Sequence, residues 1–222
     1  MSRLGRAASF YSRWARLYAV VADRTPGIRR IRSRAVELLD VDPDATIVEM
    51  GCGPGPNVPH FRRVVGEGGA IVGIDIAMGA LQRARQRALA RGWERIHVVC
   101  ADATRPPIVR ADAIVGAFVL GMFDDPAEAV NAWCDTVGPG GRICLIDFLS
   151  SDRQYAPIPN LVLRGILLVS VPGRTRFSRG MLDLLDTRVT RGNDVVRDRC
   201  SDHHVERHWG GIVRIHVGTV DA

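Results

Sequence analysis

The chain has 222 residues, 46% of them hydrophobic, which suits one domain with a sizeable core. No apolar run reaches the ~18 residues that a membrane-crossing helix needs, and Met1 to Phe10 lacks the apolar core of a secretory signal. The net charge is +6 and all 30 basic residues are arginine, which excludes lysine-based covalent chemistry.

The charge is uneven. Residues 1–34 hold nine arginines against one acid, Asp23, so this arm carries +8 and the remainder −2. Such an arm suits a solvated helix face, or contact with an anionic membrane or an acidic substrate. A cytoplasmic protein is expected, with peripheral membrane contact through the arm as a further option; no nucleic-acid partner is expected. The five cysteines, Cys52, Cys100, Cys134, Cys144 and Cys200, are odd in number and form no C-x-x-C pair. They read as reduced, mostly buried thiols and not as a zinc site.

Phe10, Tyr11, Trp14, Leu17, Tyr18 and Val21 recur at helical spacing, with Arg13 and Arg16 off the stripe, which predicts an amphipathic helix. Thr25-Pro26-Gly27 breaks the chain. A second helix is expected over Ile28–Leu39, with Ile31, Ala35, Leu38 and Leu39 inward. Thr46 to Met50 reads as a buried strand. It runs into Gly51-Cys52-Gly53-Pro54-Gly55-Pro56-Asn57, a tight glycine loop, and a helix over 57–65 follows. Strand, glycine loop and helix start make a nucleotide cradle. The dinucleotide pattern G-x-G-x-x-G fails, because its third glycine falls on Pro56.

Ala70–Asp75 is the second predicted strand. An acid at its end, as Asp75 is, can accept hydrogen bonds from both ribose hydroxyls of a nucleoside, or merely cap the next helix. Helix 79–91 and strand 95–100 follow, then Ala101-Asp102-Ala103. Ala111–Val119 is the fourth strand. Phe118 to Phe123 leaves its C-terminal end, where ligands of open parallel sheets bind. Asp125 and Glu128 suggest a capping box on a helix over 126–137. Gly138-Pro139-Gly140-Gly141 turns into strand 142–148, which carries Asp147 near its end; a base there would need a substrate pose to support it. Leu161 to Val171 is an apolar stretch, read as a core or lid helix or an interfacial one. Another helix is expected near 178–189, and the last two strands after Val195, the clearest being 212–217. His203, His204 and His208 lack the i, i+4 spacing of a zinc helix, and no metal site is expected.

Glu49-x-Gly51-x-Gly53-x-Gly55, Asp75, Asp102 and the glycine turn at 138–141 together resemble the motifs of the class I S-adenosylmethionine-dependent methyltransferases. The opening pattern Phe10-Tyr11-Ser12-Arg13-Trp14 resembles the ubiquinone/menaquinone-biosynthesis and phospholipid N-methyltransferase group. The resemblance implies an α/β fold: a Rossmann-like, seven-stranded, mostly parallel sheet with helices on both faces and a C-terminal antiparallel hairpin. It implies one domain, with 1–44 a helical lid, 45–148 the cofactor-binding core and 149–222 the substrate-side insertion and final strands.

The cofactor implied is S-adenosyl-L-methionine. Gly51, Cys52, Gly53 and Gly55 would wrap its methionine end, with Glu49 near the amino group. Asp75 would take the ribose, Ile76 and Met78 would pack on the adenine, Asp102 would bind the exocyclic amine, and the Ala103 amide a ring nitrogen. Phe118 would lie at the floor of the site. On the substrate side stand Tyr11, Trp14, Tyr18, Met122 and Asp147; no catalytic residue is named. The implied acceptor is a small molecule or lipid, a quinone precursor or a phospholipid head group. Two other readings remain open at this point: an NAD(P)-dependent oxidoreductase on a similar sheet, disfavoured by Pro56 and by the absence of lysine, and a non-enzymatic membrane-surface protein using the arginine arm.

Overall fold

The computed structural model describes residues 26–152, 157–170 and 179–222. The expected helix around Tyr11, Trp14 and Tyr18, and with it the lid role, falls outside the described residues. Seven strands form one sheet in the order β3-β2-β1-β4-β5-β7-β6. They are β1 (Thr46–Met50), β2 (Ala70–Asp75), β3 (Ile96–Cys100), β4 (Ala113–Ala117), β5 (Arg142–Phe148), β6 (His204–His208) and β7 (Val213–Thr219). The first five are parallel; β7 runs antiparallel to β5 and to β6. This is the expected seven-stranded Rossmann-like sheet with its terminal hairpin.

Burial explains which strand sits where. All of β4 and all but the ends of β5 are buried, as continuous apolar runs require when helices cover both faces. At the edge, β3 exposes His97 and Cys100. Four of the five thiols are buried, as expected, and Cys100 on this edge strand is the exposed one.

The helices are α1 (Ile28–Leu39), α2 (Val58–Phe61), α3 (Met78–Leu89), α4 (Pro126–Val137), α5 (Pro157–Ser170) and α6 (Arg179–Arg199). One face of the sheet, with Ile47, Ile71 and Val115, packs on Ile28, Ile31, Leu39 and Phe61. The other face, with Val48, Ile114 and Leu145, packs on Trp133, Val189 and Val196. Asp125 caps α4 by accepting from the amides of Ala127 and Glu128 at 3.1 and 3.2 Å, which is one half of the expected capping box, while the Glu128 carboxylate turns to Arg105 at 3.6 Å.

Several bounds shift by one or two residues, β4 at both ends, and three elements differ by more. Helix α2 is a single turn, after which i+3 bonds from the Arg63 amide to the His60 carbonyl and from the Val64 amide to the Phe61 carbonyl carry the chain on to Val65 and Gly66. Helix α5 begins at Pro157, four residues before the apolar run, since proline is tolerated in a first turn. Helix α6 runs ten residues beyond its expected end and occupies Val195 and Val196, which were expected to lead into strand. Those two valines pack into the core from a helix, and period alone cannot separate a short apolar pair into helix or strand.

Candidate active site

Strand β1 lies between β2 and β4, so the chain leaves β1 to one side, builds β2 and β3, then crosses back to β4. Such a reversal opens a crevice beyond the strands' C-terminal ends. Met50 is level with Ile74 on one side and Gly116 on the other. Gly51, Asp75 and Phe118 therefore emerge at one edge of the sheet.

The glycine loop needs its glycines for different reasons. Gly51, Gly53 and Gly55 have φ of 69°, 52° and 74°, where side chains are disfavoured. A Cβ on Gly51 would also lie 2.5 Å from Val119 Cγ2, whereas one on Gly53 would meet nothing within 4 Å. Gly51 lets the loop sit against β4's exit, and Gly53 leaves its outer side bare. Cys52 turns inward: its amide donates to the Ile74 carbonyl at 3.0 Å, and its thiol is pushed well up by burial and by the nearby carboxylates of Glu49 and Asp75. The thiol is a packing group that a low thiolate population keeps inert.

Asp75 fixes the shape of this loop. Its Oδ2 accepts from the Gly53 amide at 2.8 Å and its Oδ1 from the Ala77 amide at 2.7 Å. Burial raises its pKa, and these backbone donors oppose the rise. Each carboxylate oxygen accepts up to two hydrogen bonds, so each retains capacity for a donor such as a hydroxyl.

Glu49 is 2% exposed and shares its face with Ile47 and Val115, the side under α1. Burial pushes it up to about 7, against the Asn57 hydrogen bond and the charge of Arg32, with Asp75 adding to the rise. Its Oε1 accepts from Asn57 Nδ2, and Asn57 Oδ1 accepts in turn from Arg32 Nη1. Its Oε2 is buried with no hydrogen-bond partner among the described residues. A buried carboxylate oxygen without a donor is costly unless something cationic meets it. An amino-acid ammonium group fits that atom, the bare glycine loop fits a backbone-hugging chain, and the spare acceptor capacity of Asp75 fits a ribose.

Asp102 lies two residues beyond β3. Its Oδ1 accepts from the Thr104 amide at 2.9 Å and hydroxyl at 2.8 Å, while the Ala101 amide donates to the Asp75 carbonyl at 3.1 Å. Loop and strand tip are thus tied together. The carbonyl of Ala103 accepts from the indole of the fully buried Trp133 at 2.7 Å. Ile76 is half-buried and Met78 is 52% exposed at the start of α3.

Phe118 has a φ of 58°, an uncommon angle for a bulky side chain and a costly one, of order 1–3 kcal/mol. It is held there by a 2.6 Å bond from its amide to the Ile146 carbonyl, by stacking on Phe148 at 4.6 Å and by the Arg32 guanidinium 5.3 Å from its ring centre. Met122 is half exposed on the 3-10 turn Leu120–Met122. Asp147 is buried, its pKa is raised far above the carboxylate range by burial, and the Leu120 amide hydrogen-bonds to it.

The structure therefore brings Glu49, Cys52, Gly53 and Asp75 together and ties Asp102 to them through backbone. Two members, Arg32 and Asn57, were missed in the sequence. The signals were there: Arg32 sits on the stripe Ile28, Ile31, Ala35, Val36 and Leu39, and Asn57 stands at a helix start. Among the described residues no group of His, Cys, Asp and Glu could hold a metal ion. His203 instead meets His216, ring nitrogens 3.0 Å apart.

A methyltransferase-domain family model matches residues 47–141, the stretch from β1 to the turn before β5. An aklanonic acid methyltransferase of Streptomyces sp. (strain C5) is 32% identical over 168 residues, covering 72% of this chain and 76% of that protein. A ubiquinone/menaquinone biosynthesis C-methyltransferase of Pseudomonas putida (strain GB-1) is 31% identical over 206 residues, covering 86% and 79%. The crystal structure of an S-adenosylmethionine-dependent methyltransferase from Aquifex aeolicus superposes with a TM-score of 0.57 at 17% identity, over 85% of this chain and 89% of that one, and supports the fold. The chain belongs to the class I S-adenosylmethionine-dependent methyltransferases. It is an enzyme that uses S-adenosyl-L-methionine to methylate a small molecule, and the oxidoreductase and non-enzymatic readings give way to that assignment.

Proposed function

We propose that the strand-tip cluster is the cofactor site and that the methyl acceptor is a small, largely apolar, ring-bearing or lipid-like molecule entering beside α5. The observation that carries the first half is the buried, donor-less Oε2 of Glu49 beside the bare loop and Asp75. In this reading Glu49 holds the amino group and Asp75 the ribose hydroxyls. Asp102 and the Ala103 amide read the adenine edge, with Ile76 and Met78 along its face. Gly51, Cys52, Gly53 and Gly55 shape the backbone around the methionine end.

The second half rests on surface chemistry at the same edge of the sheet. Helix α5 is tied to the segment that follows β5 through Asn160, whose Oδ1 accepts from the Ser151 amide at 2.7 Å. Ile158, Leu161 and Val162 of α5 are each at least half exposed, as is Leu184 of α6, with Met122 close to that. Exposed apolar groups on segments that follow β4 and β5 suit an apolar ligand or partner. The named relatives act on aklanonic acid and in quinone biosynthesis, which is consistent with an acceptor of that kind.

When bound, S-adenosylmethionine supplies a methyl carbon already activated by its sulfonium charge. The protein's work is then orientation and exclusion of water, which can supply ~7–11 kcal/mol of a barrier. Phe118 and Phe148 present a rigid apolar wall, and Asp147 holds the Leu120–Met122 turn that forms the floor. Burial raises the pKa of Asp147, and its carboxyl accepts from the Leu120 amide. The test has two arms. Calorimetry with S-adenosylhomocysteine should show micromolar-range affinity, and an assay of its release should respond to quinol or hydroxyaromatic acceptors. Turnover only with phospholipid vesicles would move the acceptor to a head group; no binding of S-adenosylhomocysteine would overturn the site.

A further inference from the structure

We propose that Arg32 and Asn57 are positioning residues that act in series on Glu49, so that its unpartnered oxygen is kept available for an ammonium group. This rests on the cofactor reading above and adds to it a second layer supplied by α1. All three side chains are buried, at 2%, 1% and 2% exposure. They come from separate elements: α1, the loop before α2, and β1.

The order of the chain follows from donor and acceptor inventories. A guanidinium only donates, so Asn57 must turn its carbonyl oxygen to Arg32 and its NH2 group to Glu49. Arg32 thereby forbids the flipped amide, which would set oxygen against carboxylate. With Oε1 satisfied by Asn57, Oε2 remains the free acceptor.

A local default is broken to achieve this. Asn57 occupies the N-cap position of α2, where its side chain would ordinarily accept from the first-turn amides, yet it makes no such bond. The helix loses a cap and Glu49 gains a donor. Departures of that kind collect at functional sites. Arg32 is shared with the other side of the crevice, since its guanidinium also lies 5.3 Å from the ring centre of Phe118. The charged groups facing Glu49 are then Arg32 from α1 and Asp75 from β2, with the Cys52 thiol on its own loop.

The test compares wild type with Asn57→Leu, Arg32→Leu and Arg32→Lys by calorimetry from pH 6 to 9. Two ligands are used: S-adenosylhomocysteine, which carries the ammonium group, and 5′-methylthioadenosine, which lacks it. Losing the hydrogen bond from Asn57 should move the midpoint of the affinity–pH curve for S-adenosylhomocysteine up by about one unit. Binding would be about fivefold weaker at pH 7 and near wild type at pH 9. Arg32→Leu should shift it the same way, Arg32→Lys should largely restore it, and 5′-methylthioadenosine should bind all four proteins alike.

Equal weakening of both ligands at every pH would mean a merely structural role and would overturn the proposal. If wild type fails to bind either ligand, the cofactor reading itself is at fault. Where leucine at 57 prevents folding, Asn57→Ala removes the same donor at smaller steric cost and must show the same shift.

Discussion

Replacing Glu49 by glutamine should make the empty protein more stable and the site useless. The carboxyl group is fully buried and moved from 4.5 to about 7. Below its unfolded pKa the group is protonated in both states and costs nothing. As pH rises, the unfolded chain ionises first, and stability is lost until pH passes the folded value near 7. Linkage between pH 5 and pH 8 gives a loss of about 2.5 kcal/mol attributable to this one side chain. Glutamine keeps an acceptor for Asn57 and has no proton to lose. The Glu49→Gln variant should therefore match wild type near pH 5 and exceed it progressively to pH 8. In thermal unfolding the gap would open by about 5–10 °C for a chain of this size. Asp147, also raised by burial, contributes equally to both proteins and cancels. The same variant should bind S-adenosylhomocysteine at least tenfold more weakly at pH 8, the scale of a lost charged hydrogen bond. A melting-temperature difference that stays flat from pH 5 to pH 8 would refute the argument, since Glu49 would then be ionised in the folded protein at every pH.

Asp75→Ala should weaken S-adenosylhomocysteine by about 1–3 kcal/mol in calorimetry, through the lost ribose acceptor and the loosened Gly53 amide; wild-type affinity would disprove the assignment. Gly51→Ala should destabilise by about 1–3 kcal/mol in urea titration, because the new Cβ meets Val119 at a φ of 69°. Gly53→Ala has no such clash, so its stability cost should be smaller. Trp133→Phe leaves the Ala103 carbonyl without its indole donor. It should cost about 1–3 kcal/mol in stability and weaken adenosine binding more than it weakens methionine binding, as competition by the two fragments would show.

The sheet was legible because its signals are local and redundant. β1, β2 and β5 carry short apolar runs that each meet an acid, Glu49, Asp75 and Asp147, and their bounds match the sequence reading to the residue. The crevice was legible because a reversal of strand order follows from β-α alternation with the strongest glycine signal on the first strand. Arg32 was not, because its importance lies in a partner 25 positions away that only the fold brings near. In the sequence it is one of nine arginines in a basic arm, and composition argued for solvent. The turn of Asn57 away from its cap was equally invisible, since the residue type is the one an ordinary cap would use. The end of α6 failed for another reason: Val195 and Val196 have strand propensity, and tertiary packing against the sheet overrode it.

The buried relay also gives a physical reason for α1 to belong to the catalytic unit. A carboxylate at 2% exposure without compensation would hold its proton at neutral pH and offer an ammonium ligand only a weak dipole. Asn57 and Arg32 lower the cost of ionisation without removing it, which leaves the group near 7, half-charged before any ligand arrives. An ammonium group then gains both the charge interaction and the relief of a buried unsatisfied oxygen. A fully exposed acid would offer the first only, screened by water. Part of the folded protein's stability is held back at this position and recovered on binding, so the rise in melting temperature at a fixed S-adenosylhomocysteine concentration, which follows the affinity at each pH, should grow as pH climbs through 7 and Glu49 ionises; a rise that stays the same from pH 6 to pH 8 would refute the coupling.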